Sequence, residues 1–321
     1  MRRWIAGRLL QALVVVLLVT TVSFVLVHLA PGDPFSIDDP RVPEATRERL
    51  RAQFGLDRPI GEQYVRWLGN AARGELGWSH SRHAPVARVM REALPYTLVL
   101  MSSGLLLAFG AGIAVGAWQA ARRGSRRERV IDTLALTIYA VPDFWLALMM
   151  LSAFTYWLPI LPAGGAIDLL RHDRYGPLGR ALDLLAHLVL PASTVALMVA
   201  AAIARYQRSA MLEVLPADFV RTARAKGLPE RRVLLRHALR NALLPVITLV
   251  GLALPMLLGG ALFVERIFGW PGIGQLALGA IASRDYPLVV ATVVLSGVLV
   301  AVGSLLADLL SAAADPRVRL R

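Results

Sequence analysis

The sequence contains no cysteine. Disulfides, thiolate nucleophiles and cysteine-held metals are excluded, so any exported loop is ordered by packing alone. Lysine is nearly missing as well: Lys226 is the single lysine beside 34 arginines, a bias that usually reflects genome composition. No G-x-x-x-x-G-K-[ST], H-E-x-x-H or G-x-S-x-G occurs, which removes a P-loop, a zincin and a nucleophile elbow. An intramembrane protease needs a Ser–His pair or paired acids in the membrane, and Asp143 and Asp308 sit in no such motif. No internal repeat is visible, which argues against a secondary transporter built on inverted repeats.

What is present is apolar sequence. Hydrophobic residues make up 56% and the mean hydropathy is +0.56, well above a soluble domain of this size. Uncharged runs cover Leu9–Ala30, Ala93–Ala121, Leu184–Ala204, Asn241–Val264 and Tyr286–Ala307, and Thr133–Ile160 is interrupted only by Asp143. Each is long enough to cross the roughly 30 Å hydrocarbon layer as a helix. The expected fold is an all-α polytopic membrane protein with six transmembrane helices, over about 9–30, 95–119, 133–158, 186–204, 242–264 and 286–307. The first run is too long for a signal peptide, and no small-x-small pattern closes it. The expected layout is a cytoplasmic N-terminus (1–8), a transmembrane domain (9–310) with an external segment (31–94) and a cytoplasmic loop (205–241), and a cytoplasmic tail (311–321).

Charge sets the orientation. Residues 1–8 carry three Arg and no acid, 120–129 carry five Arg and Glu128, and 311–321 carry three Arg and Asp315. Residues 205–241 hold nine cations against three acids, whereas 159–186 and 264–286 each balance. This alternation puts both termini and the 205–241 loop in the cytoplasm. The net charge of +13 thus reports membrane topology, because the cations cluster at alternate loops, and no nucleic-acid partner is implied.

The loop itself reads RTARAKGLPERRVLLRHALRNALLP over Arg221–Pro245. Pro216 and Pro229 suit the first position of a helix, and Asp218 and Glu230 bring negative charge to first turns. Gly227 is able to take a positive φ and end the first helix. Arg232, Arg236 and Arg240 recur at i, i+4, i+8 as a cationic stripe, beside an apolar row of Leu235 and Leu239. A single amphipathic helix lying on anionic lipid is the plainer reading, but it leaves the Gly-broken helix pair unexplained.

With ARAKGL followed by RHALRNALLP, this loop resembles the cytoplasmic coupling loop of prokaryotic ABC importer permeases, most of all the first permease subunit of the dipeptide/oligopeptide/nickel branch. In that family a small-residue patch, here Arg221-Thr222-Ala223, precedes a glycine, here Gly227, and a second amphipathic turn. Arg221 replaces the usual acid, His237 an aliphatic residue and Arg240 a proline, the last two being familiar in the peptide/nickel branch. The external segments LAPGDP, FGLDRP, QYVRWLGN and RGELGWS, and the tail DPRVR, extend the resemblance over nearly the whole chain. It implies a permease subunit of an ATP-driven importer of peptides, nickel or related small solutes. The implied partners are a second homologous permease, two ABC ATPase subunits, an external substrate-binding protein and the lipid bilayer. The chain is then no enzyme and needs no cofactor, and it resides in the prokaryotic inner membrane. The implied ATPase contacts are Asp218, Phe219, Arg221, Thr222, Ala223, Ala225, Lys226, Gly227, Arg232, Arg236 and His237. An ion-coupled secondary transporter working without ATPases is the alternative.

Four further features stay open at the level of sequence. The external segment, with helical patterns over 43–54 and 62–68, reads equally as a solvated loop or as a docking platform for the binding protein. Ala108, Gly112 and Gly116, and Gly297-x-x-x-Ala301, have the spacing that lets helices approach closely in lipid. Asp143, where the family usually reads like IPSFW, is either a pathway contact for a cationic group or a structural acid bonded to backbone freed by Pro142. His28 and His187, near the outer ends of spans one and four, are either simply hydrogen-bonded or an outer imidazole pair for a metal.

Overall fold

The computed structural model describes residues 2–29, 58–259 and 261–314. The turn expected at 30–34, the helical pattern at 43–54 and the tail motif at 315–319 lie outside the described residues. Among the described residues the strands are two short ones, Trp78–Ser79 (β1) and Ala84–Pro85 (β2), paired antiparallel with Trp78 opposite Pro85. The helices are α1 (Arg2–Leu29), α2 (Ile60–Ala71), α3 (Val86–Ala121), α4 (Arg126–Ala140), α5 (Asp143–Leu151), α6 (Pro177–Val214) and α7 (Asp218–Ala225). They continue with α8 (Glu230–Ala242), α9 (Leu244–Gly259), α10 (Leu262–Ile267), α11 (Ile273–Ala282) and α12 (Tyr286–Ala314). Four helices are long and apolar enough to cross a membrane, and counting each of two bent pairs as one crossing gives up to six.

One bent pair departs from the expectation of a continuous helix over 133–158. Here α4 and α5 meet at 108°. Val141 is extended (φ −77°, ψ 132°), as steric pressure from the following proline demands, and Pro142 supplies no N–H to carry the helix on. α5 then runs into a π-helical turn at Ser152–Trp157.

Packing centres on α3 and α6. Gly104, Gly112 and Gly116 face α6, and a Cβ added at Gly112 would lie 2.6 Å from the Ile203 Cβ. At Gly116 it would collide with the Ala204 carbonyl oxygen. With no hydrophobic drive between helices in lipid, such backbone approach provides dispersion contact instead. Gly297 faces Val19 of α1 in the same way, so both small-residue patterns are used inside this chain.

The end of α3 nearer the hairpin is bolted by buried polar groups. Glu265 is fully buried. One of its carboxylate oxygens accepts from the Thr97 hydroxyl of α3 (2.8 Å), and the other accepts from Gln275 N (3.0 Å) in the first turn of α11. Thr97 Oγ1 in turn accepts from Ile273 N (2.8 Å), and the buried Trp270 donates its indole N–H to the Tyr96 carbonyl (2.8 Å). Asp285, 1% exposed, caps α12 and takes bonds from the Ser79 hydroxyl (2.6 Å) and from Ser81 N and Oγ (2.9 and 2.7 Å), fixing the hairpin to the last helix.

Gly116→Leu should therefore separate α3 from α6. Overpacking of this kind costs about 1–3 kcal/mol. A lower melting temperature of the purified protein is expected, with Gly110→Leu as control because open space surrounds Gly110. Equal melting of the two variants would contradict the close-approach assignment.

Candidate functional site

The segment after α6 forms a sharply turned helix pair. α7 begins at Asp218, whose carboxylate suits the positive N-terminal end, and Thr222 bonds back to the Asp218 carbonyl (2.8 Å). Both prolines precede the first helical position instead of occupying it: Ala217 is the N-cap of α7, and Pro229, at ψ 139°, is the N-cap of α8. That extended ψ turns the chain just before the helix begins. At the far end of α7, Gly227 has φ +73°. Gly227 N bonds Arg224 O (2.9 Å) and Leu228 N bonds Ala223 O (3.4 Å), the pairing of a Schellman cap. A Cβ at Gly227 would meet no neighbour, so backbone conformation alone demands glycine.

Arg224 and Glu230 span the turn with two bonds, Nη2 to Oε1 at 2.8 Å and Nε to Oε2 at 3.2 Å. The guanidinium holds the Glu230 carboxyl below its ordinary value. α8 continues through a π-helical turn at Val233–Ala238, which skews the expected cationic stripe because a π turn holds more residues than an α turn.

One face of this pair is buried. Val220, Ala223, Val233, Ala238 and Ala242 pack with Ala120 of α3 and with Ala210 and Met211 of α6. Ala223 is 5% exposed, so of the expected contact residues this one faces inward and serves the core. Asp218, Phe219, Arg221, Thr222, Ala225, Lys226, Gly227, Arg232 and Arg236 are exposed, and His237 is half-buried. The solvent-facing surface is thus cationic and carries one exposed aromatic, while its floor is the C-terminal ends of the two central helices.

A second contact braces the same joint. Ser125 caps the start of α4, with Glu128 N donating to Ser125 Oγ (3.1 Å), and the Glu128 carboxylate reaches one residue past the cap to accept from Gly124 N (2.6 Å). Arg208 of α6 donates to the same carboxylate through Nε (2.9 Å) and through Nη2. Arg208 holds the Glu128 carboxyl below its ordinary value, with help from the Gly124 N–H and against the effect of burial. Sequence reasoning missed this pair, although the S-x-x-E spacing after a Gly was a readable signal. It also missed Glu265, which was counted only as one charge in a balanced loop.

The other sequence candidates lie elsewhere. Asp143 opens α5 on an exposed face, and among the described residues its carboxylate has no hydrogen-bond or ion-pair partner, so the bond to backbone near Pro142 is not made. His28 stacks on Phe24 and shares a bond with Gln63 Oε1 (3.2 Å). His187 lies beside Asp183 (3.2 Å), which His172 also bonds (2.6 Å). The two histidines proposed as an outer pair therefore have separate partners. Among the described residues no group of three or more His, Cys, Asp or Glu is placed to hold a metal ion.

Comparison with known proteins adds two family matches and many relatives. Residues 112–320 match the binding-protein-dependent transport system inner membrane component family, and residues 1–101 match the N-terminal region of binding-protein-dependent transport system membrane components. The chain is 41% identical over 320 residues to the oligopeptide transport system permease protein AppB of Bacillus subtilis, covering 99% of each. It is 40% identical to the oligopeptide transport system permease protein OppB of Mycobacterium bovis, covering all of both, and 37% identical to the dipeptide transport system permease protein DppB of Escherichia coli, covering 94% of each.

Glu128→Gln leaves Arg208 without its ion partner, and a hydrogen bond to a charged group is worth about 1.5–3 kcal/mol. Because the folded-state value is depressed, the stabilisation is complete above the ordinary carboxylate pKa and lost as pH falls through the folded value. The melting temperature of the variant should lie below wild type at neutral pH, and the gap should close in acid. A gap that is independent of pH would refute the ion-pair account.

Proposed function

The chain belongs to the binding-protein-dependent transport system inner membrane component family, and from that premise we propose that its α7–α8 pair is the surface on which an ATPase subunit acts. The protein is a multi-pass permease subunit of an ABC importer for peptides. Membership in this family sets the ion-coupled alternative aside, and nickel remains a property of the wider family only.

The reading extends further. A second homologous permease pairs with this chain in the bacterial inner membrane, two ATPase subunits dock below, and an external binding protein delivers substrate. ATP is bound and hydrolysed on those ATPases, so this chain carries no catalytic site and needs no cofactor. The charge alternation supports cytoplasmic termini and a cytoplasmic α7–α8 loop, with crossings near 9–30, 95–119, 133–158, 186–204, 242–264 and 286–307.

The observation that carries the coupling assignment is the two-sided character of the helix pair. Its inner face is continuous with the apolar cluster at the ends of α3 and α6, while Phe219, Arg221, Lys226, Arg232 and Arg236 point outward. Closure of the ATPases displaces this pair, and the close-packed α3–α6 unit rocks with it in alternating access. Asp143, at a break between two helices and without a partner among the described residues, is suited to contact a cationic group in the pathway.

Gly227→Val forces a β-branched residue into a positive-φ position, at a cost of about 1–3 kcal/mol. Insertion and binding-protein docking should persist, while ATPase subunits fail to copurify or peptide-stimulated ATP hydrolysis in vesicles is lost. Normal copurification together with normal stimulation sinks the coupling assignment. An external loop would not retain ATPases even in the wild type, so the same experiment tests orientation.

Asp143→Asn should change uptake of cationic peptides relative to neutral ones at unchanged protein level. Unaltered selectivity removes Asp143 from the pathway.

A further inference from the structure

A cleft of ≈ 680 Å³ opens on the outer side between the hairpin, the first turns of α3 and the 269–276 segment. Its α3 wall is a single helical face, with Val89, Glu92, Ala93 and Tyr96 at i, i+3, i+4 and i+7. Opposite stand Pro271, Gln275 and Leu276, and Arg82 reaches in from the β1–β2 turn. The size suits a small ligand, and apolar walls with a few convergent polar groups are the usual make-up of such sites.

The polar groups here contrast with those nearby. The buried carboxylates Glu265 and Asp285 are engaged by hydroxyl and backbone donors. Glu92 and Arg82 are exposed, and among the described residues neither side chain has a hydrogen-bond or ion-pair partner. They carry opposite signs and come from different elements. Gln275 lines the same cleft through the rest of its side chain, its Oε1 being turned away from solvent and, among the described residues, without a donor. A ligand that brings one cation and one anion would meet both charges.

We propose that this cleft is an outer subsite for the two termini of a short peptide, with Glu92 taking the α-ammonium and Arg82 the α-carboxylate. An extended tripeptide is about 10 Å long, within the scale of the cleft. The assignment rests on the peptide-importer reading. The floor of the subsite is the segment that Trp270 pins to the Tyr96 carbonyl and Glu265 pins to Thr97, so an arriving peptide sits directly on the outer bolt.

The test uses the assembled transporter in vesicles, saturating binding protein, and three probes: trialanine, N-acetyl-trialanine and trialanine amide. Glu92→Gln should lower trialanine uptake about two- to fivefold, the worth of one partly exposed ion pair. It should act likewise on the amide and leave the N-acetyl peptide unaffected. Arg82→Gln should act on trialanine and the N-acetyl peptide and spare the amide. Basal ATP hydrolysis and copurification of subunits should hold. If wild type carries only the free peptide, Glu92→Asp and Arg82→Lys should recover most of the uptake lost in the Gln variants. Unchanged uptake, equal loss on all three probes, or no recovery by the charge-keeping variants overturns the subsite and leaves the importer reading standing. Wild-type vesicles that import none of the probes would instead remove the peptide reading itself.

Discussion

The structure depends on the contact between α3 and α6. Their backbones approach as closely as side-chain-free positions allow, at Gly104, Gly112 and Gly116. In lipid this contact is not driven by expulsion of water, so it relies on dispersion over a fitted surface and tolerates little added volume. Elements attach to this pair at both ends. Val220, Ala223, Val233 and Ala238 sit at one end, and Glu265, Phe268 and Trp270 are held to α3 at the other.

The two ends are secured by different means. The joint with α7 and α8 is mostly alanine and valine, with the Arg208–Glu128 ion pair at its edge. At the opposite end the holding forces are directional: a carboxylate shared between Thr97 and the first turn of α11, an indole N–H on a carbonyl, and a capped helix start at Asp285.

Much of this was legible in the sequence, and the reasons differ by element. The long apolar runs mark α1, α3, α6 and α12, because lipid imposes length and composition together. The Gly227 turn was readable because only glycine suits a positive φ at a Schellman cap followed by proline. The 108° bend at Pro142 was hidden by the unbroken hydrophobicity on both sides, although the residue before a proline is pushed out of the helical region. Glu265 was unreadable as a buried latch, since a lone carboxylate beside an arginine in a short loop looks solvated. Its partners, Thr97 and Gln275, are 168 and 10 residues away. Ala223 faced inward for a reason no linear pattern carries: α7 is only eight residues long, and the docking of α8 beneath it decides which side is floor.

The single lysine stands exposed in the α7–α8 turn, next to Gly227. Arginine resists acylation at neutral pH because its guanidinium stays protonated, whereas a lysine amine is nucleophilic in its neutral form. An amine-directed reagent applied to the intact chain is thus confined to Lys226 and the amino terminus. Nature has left the putting of a fluorophore or cross-linker on this turn to ordinary acylation chemistry, with no engineered residue required.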